Sequence, residues 1–251
     1  MRNLPYATEK ETSYENFIAK CPLCGYRNIF NRVTDLEDCS PIDFRTVSCF
    51  NDTCKQPFNI NGDSASSAYR TLLLDCYQLL KLKQYMNCIL TVTQAYEVFF
   101  SLFLRVELLY KPFAQIEDLT TEDFNTLSGK LEKKVKSYAF HAMRNLFIQQ
   151  LIDSKKPRNL KEIKDAIGKL EGKLSKPNTS SIEAIKDKQL AVKVKALLAV
   201  SVGNLRNRVV HKQAYRPSKE EAENAIKEAR SLLFPLSTQL NLYDDINWYM
   251  R

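Results

Sequence analysis

Two groups of residues could do chemistry. The first is Asn204-Leu205-Arg206-Asn207-Arg208-Val209-Val210-His211. It holds one of the chain's 2 histidines, five residues after an arginine, with the polar Asn207 between them. An imidazole, with an unperturbed pKa of about 6.5, takes up and releases protons near neutrality. A guanidinium grips paired anionic oxygens through its planar fork. The second group is Cys21-Pro22-Leu23-Cys24-Gly25 together with Cys49-Phe50-Asn51-Asp52-Thr53-Cys54. Two cysteines bracketing two residues and followed by glycine form a knuckle, whose backbone N–H groups point at the thiolates and whose turn suits glycine. The later pair has a looser gap. Four thiolates make a tetrahedral site with no open position for a catalytic water, so the Zn2+ expected on Cys21, Cys24, Cys49 and Cys54 is structural. Cys39 could replace one of the later pair. The alternative is a set of free thiols in a small β unit. It is disfavoured because roughly sixty residues hold too little core to fold comfortably without a staple.

The elements that position these groups follow from composition and period. The chain has 251 residues, is 44% hydrophobic and 26% charged, and has ample core for one large domain or two small ones. Its 6 glycines disfavour a doubly wound nucleotide-binding fold and suit long helices. The first twenty residues lack an apolar stretch, so no signal peptide is expected. The reduced-thiol reading of the cysteines points to the cytoplasm. No membrane span is expected either. The most apolar run, Cys88 to Tyr110, is interrupted by Gln94, Glu97, Arg105 and Glu107. The charge is unevenly placed. Residues 1–66 carry 7 Lys and Arg against 9 Asp and Glu, and the remainder 30 against 20. Residues 130–176 are densest, with 13 basic and 5 acidic. Such a surplus suits a polyanionic partner or, equally, merely solvated helix faces.

Residues 1–64 are expected to be a metal-binding unit with short strands near Asn28–Val33, Phe44–Val47 and Phe58–Ile60. Residues 65–251 are expected to be helical. Tyr69, Leu72, Leu73, Cys76, Leu79 and Leu80 share one helical face. A helix over about 85–110 is apolar nearly all round, which places it at the centre of a bundle, ended by Pro112. Glu97 lies within it and either pairs with an arginine elsewhere or faces a solvent seam. A short helix near Thr121–Leu127 and a long one from Lys130 to Ile152 follow. His141, between Phe140 and Ala142, reads as a packing residue. Asn159 with Glu162 opens a helix to about Lys173. A helix from Ile182 or Asp187 to Gln213 carries the motif. Asn207 and His211, four apart, share a face, and Arg206 must reach back to it. Ser218 with Glu221 caps a last helix to about Leu233, before Pro235.

The segment Arg206-Asn207-Arg208-Val209-Val210-His211, late in a helical bundle and preceded by an early helix with Tyr85, Ala95, Tyr96 and Glu97, resembles the motif of the HEPN superfamily. The chain thus looks like a mainly α protein, an HEPN-like bundle over residues 65–251 behind a zinc-ribbon-like domain over 1–64. The resemblance implies a homodimeric, metal-independent endoribonuclease that cleaves RNA by 2′-OH attack. It is of a toxin or anti-phage defence kind, with a cognate inhibitor as a further partner. In that reading His211 is the general base or acid, Arg206 clamps the scissile phosphate, Asn207 orients either of them, and Glu97 positions Arg206. The alternative implied is a non-catalytic module that dimerises or binds RNA or nucleotide while the ribbon recruits a partner. A third reading leaves Arg206 and His211 as ordinary surface residues.

Overall fold

A computed structural model of the chain describes residues 16–31, 35, 44–61, 68–116, 118–153, 155–211 and 215–242. Cys39 and the expected domain boundary at 64–65 lie outside the described residues. The N-terminal part is two antiparallel hairpins, β1 (Asn16–Lys20) with β2 (Arg27–Asn31), and β3 (Phe44–Ser48) with β4 (Pro57–Asn61). Registers such as Ile18 opposite Ile29 and Val47 opposite Phe58 keep apolar residues paired. Strand β1 was not legible as a strand in the sequence. The core of this part is small: Cys21, Phe30, Cys49, Phe58 and Ile60.

The rest is helical and has its own core. In order it contains α1 (Ala68–Lys81), α2 (Tyr85–Arg105), a π turn (Val106–Tyr110), α3 (Lys111–Gln115), α4 (Thr121–Val135), α5 (Phe140–Asp153) and α6 (Leu160–Gly168). A 3-10 turn (Lys169–Lys173) leads to α7 (Thr179–Glu183), α8 (Lys188–Ala199), α9 (Val202–His211) and α10 (Lys219–Gln239). Helix α2 is central, packed against α1, α5, α9 and α10. Its Phe99, Phe100 and Phe103 meet Phe147 of α5, with Phe103 edge-on at 4.5 Å between ring centroids. By length and composition alone, Tyr85–Gln115 is apolar enough to cross a membrane. More than half of its most apolar stretch is buried among the other helices.

Four helix boundaries depart from the sequence expectation, each for a local reason. Pro112 does not end the central helix. The wide turn before it closes with Lys111 N–H donating to the Val106 carbonyl, and the proline sits in the first turn of α3, where its missing donor leaves no bond unmade. The expected helices Thr121–Leu127 and Lys130–Ile152 divide instead at Lys136–Ala139: the Thr120–Asp123 capping box opens α4, which continues without a break through 128–129 to Val135. Pro235 lies inside α10, held there by the buried Leu232, Leu233 and Leu236 around it. The helix expected over 187–213 is two helices. Val200 is extended (φ −57°, ψ 135°), and the Ser201 N–H and hydroxyl both donate to Glu228 Oε2 of α10, each at 3.1 Å. The motif therefore rides on α9, a separate ten-residue helix. The expected caps Asn159 and Ser218 are in place, and Asp187 caps α8 as well.

Candidate functional site

The two knuckles bring their sulfurs together. Cys21 Sγ lies 4.0 Å from Cys54 Sγ, and Cys24 Sγ lies 3.6 Å from Cys49 Sγ. All four sulfurs lie within 4.8 Å of one another. A tetrahedral zinc with Zn–S bonds of about 2.3 Å requires sulfurs about 3.8 Å apart, so the donor set fits a metal ion of this kind. Gly25 (φ 72°) and Lys55 (φ 47°) make the left-handed steps that close the two turns. Asn28, fully buried, ties the hairpins together. Its Nδ2 donates to the Tyr26 carbonyl at 3.1 Å, and its Oδ1 accepts from Phe50 N–H at 2.7 Å. The Tyr26 backbone N–H draws the Cys24 thiol down to about 7, helped by Asn51 Nδ2, 3.6 Å from its sulfur. Burial pushes the Cys49 thiol up. Asn28 and Asn51 carried no signal in the sequence, since an isolated asparagine does not reveal its partners.

The second site is at the end of α9. Arg206 Nη1 lies 3.3 Å from Asn207 Oδ1 and 3.5 Å from His211 Nε2. The arginine does reach back across the helix to the face that Asn207 and His211 share. Asn207 and His211 are exposed and Arg206 is half-buried. Arg208, although inside the motif, serves the fold. Its guanidinium stacks 3.7 Å over the Tyr215 ring and pairs with Glu221 of the last helix cap.

Glu97 of α2 is half-buried near this group. Its carboxylate lies toward the Phe140 N–H at the start of α5, where the helix dipole favours an anion. It also feels the charge of Arg206, with no ion pair between them. The bridge is therefore electrostatic rather than a direct clamp. Burial pushes the Glu97 carboxyl above its ordinary value, and Arg206 and the Phe140 N–H only partly offset this. A carboxyl raised in the folded state favours folding when protonated. That stability is complete below the ordinary value of 4.5 and is lost as pH rises through the folded value. Glu97→Gln should thus melt at a higher temperature than wild type at pH 7, with the gap closing below 4.5; a lower melting temperature at pH 7 would contradict this.

No match is found among family models, curated proteins or solved structures.

The fold adds residues that the sequence left aside. A Cβ on Gly203 would lie 2.7 Å from Phe140 Cδ1 and 2.8 Å from His141 Cε1. The α9 backbone thus runs directly against the first turn of α5, and His141 packs one turn from Arg206. Gly203→Ala must displace those rings and is expected to cost about 1–3 kcal/mol in urea unfolding. An unchanged midpoint would count against so close an approach. Apart from this site, Lys155, Lys156 and Lys169 line a cavity of about 560 Å³ beyond the end of α5. None of the three side chains has a hydrogen bond or ion pair among the described residues, although Asp153, Glu162 and Asp165 share the lining.

Proposed function

We propose that the chain is an endoribonuclease of HEPN type that works without a metal at its reaction centre and carries a structural zinc in its N-terminal unit. The observation that carries the reading is the trio on α9, in which half-buried Arg206 places its Nη1 within 3.5 Å of both Asn207 Oδ1 and His211 Nε2. A guanidinium and an imidazole this close can act on a single phosphodiester. His211 takes the 2′-OH proton, the 2′-oxygen attacks phosphorus, and the P–O5′ bond breaks. The 5′-oxygen leaves with a proton returned by an imidazolium, giving a 2′,3′-cyclic phosphate end. Arg206 neutralises charge growing on the phosphate oxygens. Asn207 fixes the orientation of the arginine. Glu97 positions Arg206 through its field from α2.

The surplus of basic residues over 130–176, 13 against 5 acidic, supports a polyanionic partner. The thiolate cluster supports zinc, since four sulfurs at these separations match its bond length. The knuckles expose Leu23, Tyr26 and Phe50, surface that suits recruitment of a partner. In this reading the protein acts as a homodimer in the cytoplasm, in a toxin or defence role, under the control of a cognate inhibitor. The test is incubation of the purified protein with RNA in EDTA. Cleavage that survives chelation and leaves cyclic phosphate ends supports the reading. RNA that is bound but left intact points to the non-catalytic module instead.

A further inference from the structure

Arg144 of α5 is 6% exposed, yet it has no ion pair among the described residues. Its Nη1 reaches the Leu198 carbonyl only at 3.5 Å and its Nη2 reaches Asn145 Oδ1 only at 3.4 Å. Its Nε is buried without an acceptor. A guanidinium offers five donors and cannot shed its charge, so burying it without a carboxylate is costly unless an anion arrives. Capping the frayed end of α8 at Leu198 and stacking 5.8 Å from the Phe140 ring use only part of its capacity.

His141 lies one turn before Arg144 on the same helix face. Its ring packs on Gly203, and Arg206 follows Gly203 by one turn of α9. Burial first, then the charges of Arg144 and Arg206, hold the His141 imidazole below its ordinary value. The charges that act on the ring are thus Arg144 on its own helix and Arg206 from α9, with Glu97 of α2, which feels the charge of Arg206, as the carboxylate beside them. Two permanent cations face one half-buried carboxylate. The cluster has an excess of positive charge at its centre, which is the character of an anion site.

We propose that Arg144 and His141 of α5 form, with Arg206 of α9, a phosphate-binding pocket that grips the RNA backbone from two helices. The assignment of the phosphate to RNA rests on the ribonuclease reading; the pocket itself does not.

The experiment is a titration of the full-length 15N-labelled protein with inorganic phosphate, followed through the imidazole resonances. There are 2 histidines to separate, and His211→Ala identifies the remaining signal. The His141 resonances should move and saturate, with its titration shifted upward by the bound anion. Arg144→Met should weaken binding about tenfold or more, the scale of a charge-assisted contact. Gly203→Ala, which pushes the ring off α9, should do the same with helical circular dichroism retained. This variant keeps the test decisive if Arg144→Met unfolds. His141 resonances indifferent to millimolar phosphate, or wild-type affinity in a folded variant of either kind, would overturn the pocket. A 2′-O-methyl oligoribonucleotide, which cannot be cleaved by 2′-OH attack, then separates the two claims. Competition with phosphate supports the backbone assignment, and phosphate binding without competition removes RNA while leaving the pocket. Neither arm depends on whether RNA is cut.

Discussion

His211→Ala is expected to lower RNA cleavage by about 10²–10⁴-fold, the usual contribution of a positioned acid–base group. Arg206→Ala is expected to lose about 10²–10³-fold, as when one donor to a developing oxyanion is removed. Both substitutions should leave the fold nearly untouched. His211 is exposed at the last residue of α9, and Arg206 makes its hydrogen bonds to Asn207 and His211 alone. An exposed substitution such as His211→Ala shifts stability by about 0.5 kcal/mol or less, and half-buried Arg206→Ala by about 1 kcal/mol. The separation of the two readouts matters, because a fall in cleavage without a fall in melting temperature assigns the loss to chemistry. The readout is the rate of cyclic-phosphate product formed in EDTA. Cleavage at the wild-type rate in His211→Ala would sink the mechanism. If each active site is built across a two-fold axis, mixing Arg206→Ala with His211→Ala chains should restore part of the rate.

Removing the metal is expected to unfold the N-terminal unit while the helices persist. Among the described residues the apolar core of the hairpins is Cys21, Phe30, Cys49, Phe58 and Ile60, and two of those five belong to the candidate ligand set. Structural zinc contributes on the order of 10–16 kcal/mol at neutral pH in small zinc-dependent folds, far more than so small a core can supply. Chelation, or Cys21→Ser, should therefore collapse the backbone resonances of residues 16–61. The helical circular dichroism of residues 68–242 should remain, because the aromatic core around α2 shares no residue with the hairpins. Mass spectrometry of the native protein should find one zinc per chain. Acidification should weaken the site, since protons compete for the sulfurs: Cys24 titrates at about 7 without metal, and Cys49 above its ordinary value. A chain whose hairpin resonances survive chelation would show that the thiols are not needed to hold the fold.

Much of this was legible in the chain itself. The Cys-x-x-Cys-Gly knuckle carries its own geometry, so Cys21, Cys24, Cys49 and Cys54 could be grouped from spacing alone. The caps at Asn159 and Ser218 were equally visible, because capping is a contact between residues two or three positions apart. The shared face of Asn207 and His211 follows from helical pitch, whereas Arg206 joins them only because its long side chain reaches back across the helix. These features are local, and local spacing determines them. The proline boundaries were misread for the complementary reason. Pro112 and Pro235 break isolated helices, but a π turn absorbs the first and buried leucines on both sides hold the second.

What the tertiary structure alone decided is which distant groups face the motif. The apolar period runs through Val200 without interruption, so the division into α8 and α9 depends on Glu228 of α10 meeting Ser201, 27 positions earlier. That break turns α9 against α5, where Gly203 admits the rings of Phe140 and His141. His141 and Arg144 thereby join Arg206, although each reads in sequence as a residue of an amphipathic helix, while Glu97, expected to position Arg206, lies close enough to feel its charge. Periodicity tells which side of a helix is inside. It does not tell which other helix lies there, and the charge balance of a site is set by that second fact.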